Sequence, residues 1–458
     1  MRSFLGLNKR GGQKKATRFG RMLGMEPLED RSLLSGVGMG PPQESLSVLL
    51  AATPLDPPPS VAPSPINEND TTTLTGSFTD TTLDEHTVAI DWGDGQTSTL
   101  VLAADVLSFS QDHQYADNLL GNAPYTINVS VTDLDGDARE GSAEVVVNNV
   151  PPVASVVGPT DGVRGQPRIL TLNATDASPV DQAAGFDFTL NWGDGSPTET
   201  RSGPSGMTVD HVFANVGTYT MQVTATDKDG GTSDVATHTI TITAVGLQDD
   251  PLYPGQKMLA VGGTAGNDSI VFNPGGRGRG VKVLINGASQ GVFQPTSRIV
   301  AFGQDGNDNI QVAGGVRLAA WLFGGGGNDR LHGGAGNDLL FGGLGNDQLL
   351  GGQGRDLLVG GAGADQLNGN AGDDILIGDS LNLDDAALRD VMAVWTSSGL
   401  NFNARVAALS ATLTPAVQND GERDNLVGAS GQNWLIDDLG MPKPKGPPAK
   451  VVPPKRGK

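Results

Sequence analysis

Six aspartates, Asp329, Asp338, Asp347, Asp356, Asp365 and Asp374, recur at intervals of nine residues. Five residues before each stands a glycine: Gly324, Gly333, Gly342, Gly351, Gly360 and Gly369. Two residues before each stands another: Gly327, Gly336, Gly345, Gly354, Gly363 and Gly372. Carboxylates are hard oxygen donors, and glycines let a tight turn expose its backbone carbonyls. The chain has no Cys, and no His recurs in the register. The donor set is therefore all oxygen and suits Ca²⁺. Facing carboxylates about 5 Å apart repel by about 1 kcal/mol in water and about 3 kcal/mol at an effective dielectric near 20. The metal-free segment is expected to hold together poorly, with Ca²⁺ binding and folding a single event.

The elements that must position these groups follow from the register. Six nonapeptides run without a gap from GGGGNDRLH at 324 to GNAGDDILI ending at 377, with Leu at position eight each time. The glycine-rich six residues form a turn and the last three a short strand, whose middle leucine points inward. Two nonapeptides make one coil, so turns stack between repeat n and repeat n+2 at about 4.8 Å. Six repeats then define four complete sites: 1–3, 2–4, 3–5 and 4–6. This pattern resembles the RTX, or hemolysin-type, calcium-binding β-roll. The resemblance implies that the six aspartates are side-chain ligands and that carbonyls of the twelve glycines complete each shell. Arg355 and Ala364 depart from the usual Asn or Asp at position five. Asp268 and Asp308 belong to isolated flanking copies and are secondary candidates; Asn433 replaces the aspartate of a third.

Outward positions differ between alternate repeats. Even repeats carry Leu339/Phe341, Leu357/Val359 and Ile375/Ile377, whereas odd repeats carry Arg330/His332, Gln348/Leu350 and Gln366/Asn368. One outer face is therefore apolar and calls for a cover. Leu388, Val391, Met392 and Trp395 stand at helical spacing after the candidate caps Asp384 and Asp385, and Phe402, Val406, Leu409 and Leu413 repeat such a stripe. Two short helices are expected to pack on that face.

Upstream the chain is duplicated. Asp91-Trp92-Gly93-Asp94-Gly95 recurs as Asn191-Trp192-Gly193-Asp194-Gly195, His113-Gln114-Tyr115 as His211-Val212-Phe213, and Thr132-Asp133-Leu134-Asp135-Gly136 as Thr226-Asp227-Lys228-Asp229-Gly230. Alternating Thr, Val and Ile around these marks indicate half-buried strands. The three marks resemble those of the PKD family of Ig-like domains, which implies spacer or binding modules without catalytic residues. Trp92 and Trp192 are read as core anchors, His113 and His211 as supports of the fold, and Asp133, Asp135, Asp227 and Asp229 as turn formers, with cation binding as the alternative.

The expected fold class is all-β: two tandem Ig-like (PKD) β-sandwiches followed by a parallel β-roll or β-solenoid with a short helical cover. The expected organisation is a leader and Pro-rich linker (1–61), sandwiches at 62–149 and 150–245, and an irregular start to the solenoid (246–323). The β-roll (324–380), the helical cover with a closing repeat (381–440) and a basic Pro/Lys tail (441–458) complete it.

The chain has 458 residues and a formal net charge of −21, which speaks against nucleic acid and for cations. No apolar run approaches the roughly 18 residues of a membrane span. Leu28-Glu29-Asp30-Arg31-Ser32-Leu33-Leu34 resembles the LEPR-x-LL signature of exported planctomycete proteins, with Asp30 in place of Pro. Five His form no HExxH, and the one GxSxG match, Gly287 to Gly291 around Ser289, is followed by Pro295 and polar residues rather than a helix. No catalytic or organic-cofactor site is expected. The reading is a secreted or cell-surface structural or adhesive protein that binds Ca²⁺, with a cell-surface protein or polysaccharide as partner. The alternatives are a secreted RTX hydrolase or toxin, and a carbohydrate-binding module in the sandwiches.

Overall fold

Alternating burial builds the first two domains. In the strand Tyr125–Asp133, Tyr125, Ile127, Val129 and Val131 point into one core, and in Gly217–Thr226, Met221, Val223 and Ala225 point into another. The computed structural model describes residues 53–81, 84–276 and 280–436. The leader signature and the basic tail lie outside the described residues.

Each sandwich packs a five-stranded sheet on a three-stranded one. Trp92 and Trp192 are buried at the two centres. The recurring marks form one device: His113 stacks on Trp92 and bonds Asp94 at 2.8 Å, and His211 stacks on Trp192 and bonds Asp194 at 2.7 Å. Gly93 and Gly193 adopt φ near 79° and 77°, and a Cβ at either would overlap the carbonyl of Thr126 or Thr220. Only glycine lets the turn close there. The Pro-rich stretch expected as linker also contributes strands. Thr53–Pro54 pairs with Arg139 and Glu140, Ser60–Ala62 pairs with Thr73 to Thr75, and Leu55 is buried. The first sandwich thus starts before residue 62, because an edge strand tolerates proline.

From residue 245 the chain winds into two eight-stranded sheets. Successive strands pair in parallel with an offset of 18 residues through the repeats: Leu322, Leu340, Leu358 and Leu376 align on one sheet, and Leu331, Leu349 and Leu367 on the other. These leucines are buried in a continuous core between the sheets. Repeat n does stack on n+2. Strands are longer than the expected three residues, however; Leu339–Leu344 and Leu357–Ala362 run on through the next two glycines. Glycine backbone hydrogen bonds extend the ladder there, with Gly343 opposite Gly361.

The ladder starts before the tandem repeats, at Lys257–Gly262 and Ser269–Pro274, and closes after them at Asn425–Val427 and Trp434–Ile436. Between repeat six and that closure lie two helices, here α2 (Asp385–Trp395) and α3 (Phe402–Ala416). Asp384 caps α2 by accepting from Ala387 N at 2.8 Å. Leu388, Val391, Met392, Trp395, Phe402, Leu409 and Leu413 bury Leu339, Leu357, Val359, Ile375 and Ile377. The apolar outer face is covered as its composition requires.

Candidate metal centre

Because the register is constant, each aspartate at position six arrives at the same corner of its coil. One carboxylate oxygen then binds the preceding turn. Asp347 Oδ1 accepts from Asp329 N at 2.7 Å, Asp365 Oδ1 from Asp347 N at 2.8 Å, Asp356 Oδ1 from Asp338 N at 2.8 Å and Asp374 Oδ1 from Asp356 N at 3.0 Å. The six side chains therefore form two rows, one on each edge of the roll.

The rows extend past the tandem repeats. Asp329 Oδ1 accepts from Asp308 N, and Asp308 Oδ1 from Asp268 N, both at 2.7 Å. At the far end Asp424 Oδ1 accepts from Asp365 N at 2.9 Å, and Asn433 Oδ1 from Asp374 N at 2.9 Å. One row thus runs Asp268, Asp308, Asp329, Asp347, Asp365, Asp424, and the other Asp338, Asp356, Asp374, Asn433. Asp424 was not singled out from the sequence, because Glu422 stands where the second glycine should be. Its remaining signal is the Asp-x-Leu of Asp424-Asn425-Leu426, followed by Gly428.

The second oxygen is where a metal is tested against the donors. Oδ2 of Asp308, Asp329, Asp338, Asp347, Asp356, Asp365 and Asp374 is buried and has no hydrogen-bond partner. A buried carboxylate oxygen without a partner is costly. Each Oδ2 of the tandem repeats lies beside the position-one glycine of its own repeat. A Cβ on Gly324, Gly333, Gly342, Gly351 or Gly360 would overlap that carboxylate and the carbonyl of the glycine two repeats on. On Gly369 it would overlap Asp374. Position-four glycines approach a neighbouring turn as closely: a Cβ on Gly327, Gly345, Gly354, Gly363 or Gly372 would meet the carbonyl of Gly306, Gly327, Gly336, Gly345 or Gly354 respectively, and one on Gly336 that of Leu318. The glycines leave a cradle of carboxylate and carbonyl oxygen that fits Ca²⁺. Asp268 differs, since Thr264 and Asn286 already bond both of its oxygens.

Without a cation the rows are electrostatically strained. Burial, reinforced by facing carboxylates, lifts Asp308 and Asp329 to about 7 and Asp365 to about 8. Burial lifts Asp374 to about 7 and Asp347 to about 6. Asp338 and Asp356, deepest in the second row, are also raised by burial. Arg355 and Ala364 leave this geometry intact, because their backbone N–H groups still donate to Asn337 and Asn346 at 2.8 Å. The Arg355 side chain instead reaches the end of α2, donating to the carbonyls of Thr396 and Ser397.

Ser289 lies exposed in the antiparallel strand Ala288–Phe293, paired with Val281–Ile285, and the chain continues into another strand rather than a helix. That is not the geometry of a nucleophile elbow. Among the described residues no helix is long and apolar enough to cross a membrane.

Residues 319–349 and 350–382 match the family profile of the RTX calcium-binding nonapeptide repeat, and residues 149–243 match the PKD domain. Both families are structural or binding modules. Among solved structures, the PKD domain of an M14-like peptidase from a Thermoplasmatales archaeon is 28% identical, covering 21% of this chain and 98% of that one at a TM-score of 0.19. A tetra-tandem repeat from the extending region of a large adhesion protein is 17% identical, with a TM-score of 0.27. That match covers 49% of this chain and 55% of the other, so the chain spans about half the length of that structure. No curated protein matches.

Proposed function

We propose that this is an exported calcium-binding structural or adhesive surface protein whose β-roll folds when Ca²⁺ fills its turns. The observation that carries this reading is the set of buried aspartates Asp308, Asp329, Asp338, Asp347, Asp356, Asp365 and Asp374, each with one oxygen bonded to backbone and the other without a hydrogen-bond partner. Asp329, Asp338, Asp347, Asp356, Asp365 and Asp374 are the side-chain ligands, and the glycines at positions one and four supply carbonyls. Asp308 continues the first row and is a ligand by the same criterion. Bound Ca²⁺ supplies positive charge between carboxylates that otherwise repel.

The location follows from affinity. Extracellular calcium modules bind at about 10⁻⁴–10⁻³ M, far above the calcium level of a cytosol. A chain with such sites stays unfolded at the roll until it meets external calcium, which suits export before folding. The sandwiches then act as spacers that present the roll, or another surface, to a cell-surface protein or polysaccharide.

Equilibrium dialysis of the full chain tests the reading. The four intervals between the six aspartates should bind at least four Ca²⁺ per chain (about 10⁻⁴–10⁻³ M). Binding of one ion or none would overturn it.

A further inference from the structure

A second concentration of buried acid lies outside the roll, where the two sandwiches meet. Glu68 and Asp117 come from the first sandwich, and Asn149 from the connection. Asp176 and Asp181 flank and enter the short helix α1 (Pro179–Ala184) of the second sandwich, and Asp227 and Asp229 form its Asp-x-Asp-Gly turn. Carboxylate oxygens of Glu68, Asp117 and Asp181 lie within 4.8 Å of one another, as do those of Asp176, Asp181 and Asp227. Asp181 is common to both groups. It is fully buried, and Glu68 is 2% exposed.

The hydrogen bonds at this joint leave a defined remainder. Glu68 Oε1 accepts from Val150 N at 2.9 Å, and Asp176 Oδ1 from Ser178 N at 2.9 Å. Asp227 Oδ1 accepts from Asp229 N and Gly231 N, and Asn149 Nδ2 donates to both Asp227 oxygens at 3.2 Å. Lys228 reaches Asp117 at 2.9 Å, Asp181 Oδ1 at 3.0 Å and Asp229. Glu68 Oε2, Asp176 Oδ2, Asp181 Oδ2 and Asn149 Oδ1 are buried and accept no N–H or hydroxyl hydrogen, and the Glu68 and Asp176 carboxyls lie close enough to share a proton. One ammonium thus stands among six carboxylates and pairs with three of them, Asp117, Asp181 and Asp229. Two of those four oxygens belong to side chains almost wholly removed from water, which is an expensive arrangement for anions.

We propose that a divalent cation, best matched by Ca²⁺, binds at this joint through Glu68, Asp176, Asp181 and Asn149, with Asp227 beside it, and clamps the two sandwiches together. The donors are all oxygen, without His or Cys, and come from loops rather than one rigid element. Ca²⁺ accepts such irregular carboxylate and amide sets, whereas Mg²⁺ demands a tighter octahedron. Because the ligands come from both sandwiches and their connection, binding fixes the angle between the domains. In chelator, net negative charge pushes them apart.

The absence of Cys from the chain makes the test clean. Val101→Cys and Val216→Cys, at positions 69% and 51% exposed, place one spin label on each sandwich of the full-length protein. The interlabel distance distribution should be narrow in Ca²⁺ and broad in EGTA. Adding Asp181→Asn should leave it broad in both, lower the Ca²⁺ bound per chain by one in equilibrium dialysis, and leave the Ca²⁺-dependent hydrogen-exchange protection of residues 324–377 intact. Glu68→Gln should act in the same direction. Hydrogen-exchange protection of the strands around Trp92 and Trp192 checks that each sandwich remains folded. A wild-type distribution identical in Ca²⁺ and EGTA would overturn the proposal. So would unchanged stoichiometry in both variants, the result expected if protons rather than a metal neutralise the cluster. Because the roll is read through exchange of its own peptides and the joint through the labels, failure of one site is distinguishable from failure of the other.

Discussion

Asp356 sits in the middle of the second row, with one oxygen on Asp338 N and the other without a partner. Asp356→Ala should remove the carboxylate from two adjacent intervals at once. Equilibrium dialysis should then show two fewer Ca²⁺ per chain, and the calcium needed for half-maximal folding should rise several-fold; unchanged stoichiometry would remove Asp356 from the ligand set. The two rows set a pH dependence in chelator. Asp374 and Asp329 stand at about 7 in the folded roll against 3.8 for a free aspartate, because burial disfavours their ionised form. Between those values the folded state holds more protons than the unfolded one, so stability falls as pH rises from about 4 towards 8. Below about 4 the penalty vanishes, since both states are protonated. Chelated protein should therefore show more roll structure by circular dichroism at pH 5 than at pH 8, and a rise in structure with pH would contradict the assignment. With Ca²⁺ present the order should reverse, because protons and metal compete for the same oxygens. At this scale the repeating aspartates were legible in the sequence, since one spacing fixes both residue type and corner. Asp424 was not, because recognition leaned on the second glycine and the fold needs only the carboxylate and the following leucine. The joint cluster was hidden for another reason: its members are spread from Glu68 to Asp229 and meet only through tertiary packing.

At the scale of elements, the cover and the calcium turns are mechanically joined. Trp395 of α2 donates its indole N–H to the carbonyl of Asp373 at 2.8 Å. Arg405 of α3 is buried, donates to the Trp395 carbonyl at 2.9 Å and pairs with Asp373. Asp373 immediately precedes Asp374, the last aspartate of its row. Ordering that turn and seating the helices are thus coupled steps. Arg405→Met should break a partly buried charged hydrogen bond, at a cost of about 1.5–3 kcal/mol. It should lower the melting temperature of the calcium-loaded roll and raise the calcium midpoint read by circular dichroism, whereas an unchanged midpoint would mean that cover and turns fold independently. The helices could be read from the sequence because their apolar stripes match the apolar face of the even repeats. The role of Arg355 could not, since its departure from the repeat pattern has meaning only once α2 ends beside it. Strand length was underestimated for a related reason: glycine is a poor strand former in isolation, and only the stacked ladder holds it extended.

The whole molecule combines two kinds of stability. The sandwiches have cores centred on Trp92 and Trp192 that need no metal at the centre. The roll has one file of leucines per sheet and rows of buried acid at its edges. The two are docked: Arg164 donates to the carbonyl of Gly262 at 2.8 Å, Gln166 and Gln248 bond each other, and Gln304 donates to Ala214 at 3.2 Å. The duplication and the period of nine made this sequence of modules legible, but not the docking, which rests on single side chains with no repeating signal. Hydrogen exchange followed peptide by peptide on the full-length protein tests the central claim most directly. The account predicts that amides of residues 324–377 exchange rapidly in EGTA and become protected together as Ca²⁺ is added, while the strands around Trp92 and Trp192 stay protected in both. Equal protection of 324–377 with and without EGTA would contradict it.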